Sequence, residues 1–248
     1  MNLPPYYSSV GPFRQVLQPG GGILTYHHVA PRPRGVRLKG LYVTTKLFNR
    51  QISELRSAGF LAEKYDQVKE APKPRTIFVT FDDGFRDVFE NAMPLLRNAG
   101  FTAIQFLVAD FIGQLSHWQR ASGEIPGKLM DISEIRNWLA AGNRIGSHTL
   151  RHPFLTRASA SEAREEIVSS KKKLEDLLGV PVEHFCYPYG DWNRPIRDIV
   201  EAAGYKSACT TESGINTAET DRFALKRLTA RYPSRNWRWL LGKIGILE

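Results

Sequence analysis

Two aspartates stand side by side at Asp82 and Asp83, and two histidines stand four residues apart at His148 and His152. Adjacent carboxylates repel each other unless one meets a cation or shares a proton. In an extended chain neighbouring side chains point to opposite faces, so the two are set up for different tasks. One can bind a metal while the other takes a proton from water. Taken alone, Asp83-Gly84 also reads as a plain turn with Asp82 capping the next helix. The histidines sit in His148-Thr149-Leu150-Arg151-His152, a spacing that suits Zn²⁺ or a similar divalent ion. Pro153 keeps His152 out of a helix, so this is a turn. A strand-end carboxylate as third ligand completes a two-histidine, one-carboxylate set that leaves positions open for water and substrate. Such a cation lowers the pKa of bound water toward ~7 and polarises an amide carbonyl. The free carboxylate then serves as base and a nearby histidine as acid.

These residues fall at one kind of place. Short apolar runs alternate with amphipathic stretches from Gly22 onward, which implies parallel strands joined by right-handed helical crossovers. Strands are expected at 22–26, 76–81, 102–108, 144–147, 184–187, 206–210 and 224–229, and helices at 45–58, 85–98, 132–141, 159–178 and 193–203. About seven βα units point to a single-domain α/β fold, a distorted or incomplete (β/α) barrel, with a doubly wound sheet as the alternative. Asp82 and Asp83, His148, the pair His27 and His28, and the turn Tyr187-Pro188-Tyr189-Gly190 each follow an expected strand. In such barrels, residues from separate strands meet at the C-terminal face. Residues 1–21, rich in Pro, Gly, Ser and Tyr, read as an arm or poorly ordered lead-in; 22–248 form the domain.

The 248 residues carry 34 Lys+Arg against 25 Asp+Glu, a formal charge of +9 that favours phosphates, anionic glycans or an anionic membrane surface. Only Lys171-Lys172-Lys173 form a run, which reads as a solvated helix face, and no nucleic-acid recognition motif accompanies the charge. Cys186 and Cys209 lie in apolar runs and read as buried free thiols. The start of the chain lacks a basic segment followed by an apolar one, so no signal peptide is expected. A cytoplasmic location, or one peripheral to the inner membrane, follows from that, and an extracytoplasmic one if a leader precedes this sequence.

Thr80-Phe81-Asp82-Asp83-Gly84 and Gly146-Ser147-His148-Thr149-Leu150-Arg151-His152-Pro153, in this order and spacing, closely resemble the polysaccharide deacetylases of carbohydrate esterase family four, the NodB-homology group. The resemblance runs from about Gly22 to Tyr232. It implies Asp82 as base and Asp83, His148 and His152 as ligands of one divalent transition metal, Zn²⁺ first, with Co²⁺, Ni²⁺ and Fe²⁺ also suited. A third family motif, RxPYG, is represented by Cys186-Tyr187-Pro188-Tyr189-Gly190. Its backbone N–H at Tyr189 is left to serve the oxyanion, while Cys186 replaces the arginine that pairs with the base. Arg227, on the last strand, is the candidate substitute. The family's late catalytic histidine is absent as well. Tyr26-His27-His28-Val29 near the start instead looks like the circularly permuted branch, which includes the deacetylases of poly-N-acetylglucosamine. There it implies His27 as the acid, with His28 second.

Pro188, Trp118 and Trp192 are the substrate-binding candidates, the two tryptophans as surfaces for sugar rings. His117 and His184 read as structural. The resemblance implies removal of N-acetyl groups from an N-acetylated oligo- or polysaccharide. A lipid-linked amino sugar at the membrane and a non-catalytic glycan-binding module are the competing readings. The basic, aromatic stretch from Ser234 to Ile244 is expected either to pack as a final helix or to touch a membrane.

Overall fold

Strand Thr76–Phe81 is buried along its whole length, as a strand covered on both faces must be. A computed structural model describes residues 3–68, 73–121 and 123–232. In it Gly22–Tyr26 (β1), Thr76–Phe81 (β2), Ala103–Leu107 (β3), Arg144–Ser147 (β4), His184–Cys186 (β5), Ser207–Ser213 (β6) and Leu225–Thr229 (β7) are strands. All neighbours are parallel, in the order β1-β7-β6-β5-β4-β3-β2. β2 returns to pair with β1 from Gly22↔Ile77 to Tyr26↔Phe81, which closes the sheet into a barrel and excludes the open, doubly wound alternative. Leu61–Ala62 adds a short strand beside the start of β2. His28–Val29 pairs with Tyr42–Val43 in a small ribbon beyond β1.

The barrel interior is lined by Ile23, Phe78, Ile104, Phe106, Cys209 and Leu225. Helices Val10–Leu17 (α1), Thr45–Ser57 (α2), Met93–Ala99 (α3), Ile132–Ala140 (α4), Ala160–Leu178 (α5) and Arg194–Ala202 (α6) lie outside it. Their starts are set by local chemistry. Thr44 accepts from the Leu47 N–H, and Asp131 and Ser159 form reciprocal caps with Glu134 and Glu162. α5 turns its Ala163, Ile167, Ser170 and Leu174 inward, at helical spacing, and ends on left-handed Gly179. The helix expected over 85–98 is π-helical from Val88 to Ala92 before α3 begins. Pro94 has no N–H to return to that helix and its ring crowds the carbonyl four residues earlier; the wider turn accommodates it. Among the described residues no helix is long and apolar enough to cross a membrane. The stretch from Ser234 to Ile244 lies outside the described residues.

The expected lead-in is folded. Tyr7 adds a bridge beside β7, donating to Thr229 O at 2.9 Å and accepting from Arg231 N at 2.9 Å. α1 buries Val10, Phe13 and Leu17. Their 3–4–residue spacing is the mark of an amphipathic helix, masked in the sequence by Gly11-Pro12, which occupy the first turn where proline is tolerated. Replacing Phe13 with Ala is therefore expected to cost about 3–5 kcal/mol in denaturant unfolding, a loss that a free arm would not show.

Candidate metal and acid–base site

Both aspartates follow β2 at the C-terminal mouth of the barrel, and both are buried, 2 % and 4 % exposed. They turn to different partners. Arg227 Nη1 and Nη2 donate to the two oxygens of Asp82 at 2.8 and 2.7 Å. The guanidinium comes from inside the barrel, on the same face of β7 as Leu225, where the β6–β7 register shifts. It is fixed there by bonds to Thr210 O at 2.8 Å, Thr80 Oγ1 at 3.1 Å and Cys186 Sγ at 3.2 Å. Burial works against the Asp82 charge, but Arg227, with smaller help from His27 and His148, outweighs it and holds the carboxyl below its ordinary range. Cys186 and Cys209 are free, buried thiols, as expected.

Asp83 faces the two histidines. Its Oδ1 lies 3.4 Å from His148 Nε2 and 3.2 Å from His152 Nε2. His148 Nδ1 is 2.7 Å from the Cys186 carbonyl, an acceptor only, so that nitrogen carries a proton. In the neutral ring Nε2 is then a bare acceptor aimed at Asp83. Burial opposes the charged form of Asp83 and of His152 alike, and it lowers the His152 pKa against the pull of Asp83. A bare Nε2 facing a carboxylate oxygen is an unfavourable contact that a shared cation would relieve. Asp83 Oδ1 and His152 Nδ1 are buried without a hydrogen-bond partner, and the three ligand atoms lie within 4.8 Å of one another. A divalent cation fits this set. It would satisfy the orphaned oxygen and relieve the acceptor-to-acceptor contacts.

The backbone around these ligands is strained. Asp83, Thr149, His152 and Tyr189 have φ between 59° and 74°, four of the five non-glycine residues with positive φ among those described. Gly84, at φ 86°, continues the Asp83 turn. The histidine loop is held by Glu166 on α5, whose Oε2 accepts from both Leu150 N and Arg151 N at 2.9 Å, and by Thr149 Oγ1, which accepts from His152 N at 2.9 Å. Glu166 escaped the sequence reading. Its signal was an acid on the inward stripe of α5, three residues after Ala163.

The remaining candidates separate. His27 Nε2 reaches to 3.8 Å from Asp82 Oδ2 while 20 % of its side chain stays exposed. Burial lowers its pKa against the pull of Asp82 and Asp83. His28 turns elsewhere: its Nδ1 lies 2.6 Å from Asp87 Oδ2, and its ring is stacked between Tyr42 and Phe85. Trp118 stacks on His152 at 4.9 Å and 18°. The side chain of Tyr189 meets the same ring edge-on at 4.5 Å, and Pro188 is buried in the turn before it. Trp192 lies over Tyr187 and donates to Glu212 at 3.3 Å. His184 bonds to Ser207 at 2.9 Å beneath the barrel.

The polysaccharide deacetylase family model matches residues 69–208. A chitooligosaccharide deacetylase of Azorhizobium caulinodans is 31% identical over 133 residues, covering 53% of this chain and 56% of that protein. A poly-β-1,6-N-acetyl-D-glucosamine N-deacetylase of Staphylococcus aureus is 24% identical over 200 residues, covering 77% and 68%. The chain spans about half the length of the Azorhizobium protein and of a Bacillus subtilis relative. The solved structure of IcaB from Ammonifex degensii shares the fold, with a TM-score of 0.75, 20% identity, and coverage of 92% and 97%.

The Asp82–Arg227 pair carries a direct test. Arg227→Met leaves a buried carboxylate uncompensated and should cost about 3–5 kcal/mol in chemical denaturation. Arg227→Lys restores the charge without the two-pronged fit and should recover only part of the loss.

Proposed function

The chain belongs to the polysaccharide deacetylase family, carbohydrate esterase family four, and from that premise we propose that it is a metal-dependent hydrolase removing N-acetyl groups from N-acetylhexosamine units of a glycan. One observation carries the proposal. A buried set of acceptors, Asp83, His148 and His152, sits beside a second carboxylate that Arg227 keeps separately charged. The names of the relatives, which act on chitooligosaccharide and on poly-N-acetylglucosamine, support a glycan substrate.

Asp83, His148 and His152 would hold the cation. Zn²⁺, Co²⁺, Ni²⁺ and Fe²⁺ all suit two imidazoles and a carboxylate. When bound, the cation would supply an acidified water and a polarised acetamide carbonyl, which matters because Arg227 holds the Asp82 carboxyl below its ordinary range and so makes it a weaker base. Asp82 accepts one proton of the attacking water as the C–O bond forms. Arg227 fixes the direction of the Asp82 carboxylate and keeps it ionised. The Tyr189 N–H, presented by its left-handed backbone, donates to the developing oxyanion. His27 gives a proton to the nitrogen as the C–N bond breaks, leaving acetate and a free amine. Exchange with solvent then returns Asp82 and His27 to their starting states. Trp118, stacked on His152, walls the substrate side of the ligand set, while Pro188 shapes the opposite turn.

Acetate release from N-acetylglucosamine oligomers, after loading with Zn²⁺, Co²⁺ or Ni²⁺, tests the proposal. Asp82→Asn should lower kcat by about 10²–10⁴-fold while oligomer binding persists. Undiminished turnover in that variant refutes the base, and a loaded parent that releases no acetate refutes the activity. The two histidines are told apart in the same assay. His27→Gln should lose about 10²-fold or more in kcat with its melting temperature kept, whereas His28→Gln should mainly lower the melting temperature.

A further inference from the structure

Exposed large apolar side chains gather at one end of the molecule. Leu38 (52 %), Leu115, Ile125, Phe154 and Tyr189 are all exposed, and each lies on a loop that follows a barrel strand. Hydrogen bonds and ring stacking link most of them into a band across the mouth. The Glu124 carboxylate accepts from Leu38 N at 2.8 Å, bringing Leu38 beside Ile125. Glu124 N donates to Gln119 O, next to Trp118. Trp118 stacks on His152, His152 meets Tyr189, and Tyr189 stacks on Phe154 at 3.9 Å. A band of such side chains beside a polar centre marks an interaction surface.

The loop after β1 adds cations to this end. Arg32, Arg34 and Lys39 are exposed in the loop after β1, and among the described residues they form no ion pair. Arg157 lies over the Phe154 ring at 4.1 Å. The nearby carboxylates are already engaged. Glu124 is held by the Arg37 and Leu38 N–H groups, Asp110 by Lys173 and Arg151, and Asp191 by Thr156. The described chain also ends at this face: Tyr232 donates to Thr44 Oγ1 at 2.8 Å, and the sequence beyond it contains Arg235, Trp237, Arg238 and Trp239.

From this arrangement we propose that the mouth of the barrel docks on an anionic lipid surface, with Leu38 and Ile125 entering the headgroup boundary and the loop cations meeting lipid phosphates. The pattern fits that occupant. Apolar side chains interleaved with unpaired cations match an interface of acyl chains and phosphate. A dry protein partner would instead be met by a surface depleted of charge at its centre. Docked in this way, the Asp–His cluster faces the lipid, whatever bond it hydrolyses.

Flotation of the full chain with vesicles tests this independently of activity. Binding is expected to vesicles containing phosphatidylglycerol, to be weaker to phosphatidylcholine alone, and to fall with added salt. Removing each loop cation should cost about fivefold in affinity, so Arg32→Ser/Arg34→Ser should lose about 25-fold. Leu38→Glu/Ile125→Glu should abolish binding, whereas Leu61→Glu, at the opposite end of the barrel and 64 % exposed, should bind as the parent does. Equal melting temperatures check that the variants are folded. A parent that does not float with either vesicle overturns the proposal. So does binding that survives Leu38→Glu/Ile125→Glu and is lost only in Trp237→Glu/Trp239→Glu, which would assign the contact to the C-terminal segment.

Discussion

Burying two carboxylates that are neighbours in sequence requires a positive partner for each, because two unpaired charges cannot share a low-dielectric site. In this chain the protein itself meets the demand for Asp82, while Asp83 is left at a site that a cation would complete. Asp82 at the strand end receives the Arg227 fork from inside the barrel. Asp83, thrown into a left-handed turn one residue later, faces two imidazoles on the loop after β4. Much of the remaining architecture follows from that division. The barrel must close so that β7 stands across from β2 and its arginine can reach. The residue on β5 nearest the guanidinium must be small, and Cys186 is.

The Asp82–Arg227 contact is poorly explained as a source of stability. A buried ion pair often adds little compared with apolar side chains of the same volume, though breaking it by removing one member is costly. Its value lies in fixing one carboxylate as charged and directed. The cluster around Asp83 has the opposite character. Its orphaned oxygen and its strained backbone at Thr149 and His152 are unfavourable in isolation, and the fold carries that cost through Glu166 and the Thr149 hydroxyl. Strain of this kind persists only where the surroundings over-determine it. A cation would convert the cluster from a liability into a bound centre.

Much of this was legible in the sequence because the signals were local. β1, β2 and β4 begin and end at the expected residues; for β1 and β2, runs of β-branched and apolar residues bounded by glycine or a polar turn leave little freedom. Asp82, Asp83, His148 and His152 stood out as polar residues at strand ends, and Arg227 as the arginine on the last strand available once Cys186 took the place of the motif's own. The rest depends on contacts between distant parts of the chain. Barrel closure through β1 and β2 joins segments fifty residues apart, and periodicity carries no record of it. α1 was hidden by Gly11-Pro12. The different surroundings of His27 and His28 come from Asp87, Tyr42 and Phe85, which engage the His28 ring and carry no mark in the sequence that they do so.

Metal content is the most direct measure of whether the two aspartates divide their work as described. Elemental analysis of the parent, Asp82→Asn and Asp83→Asn, each loaded with Zn²⁺ and dialysed, compares them with no assumption about substrate. The account predicts about one equivalent in the parent and in Asp82→Asn, and close to none in Asp83→Asn, as three protein ligands fall to two. Zinc retained equally by Asp83→Asn and the parent, or lost from Asp82→Asn alone, would contradict it.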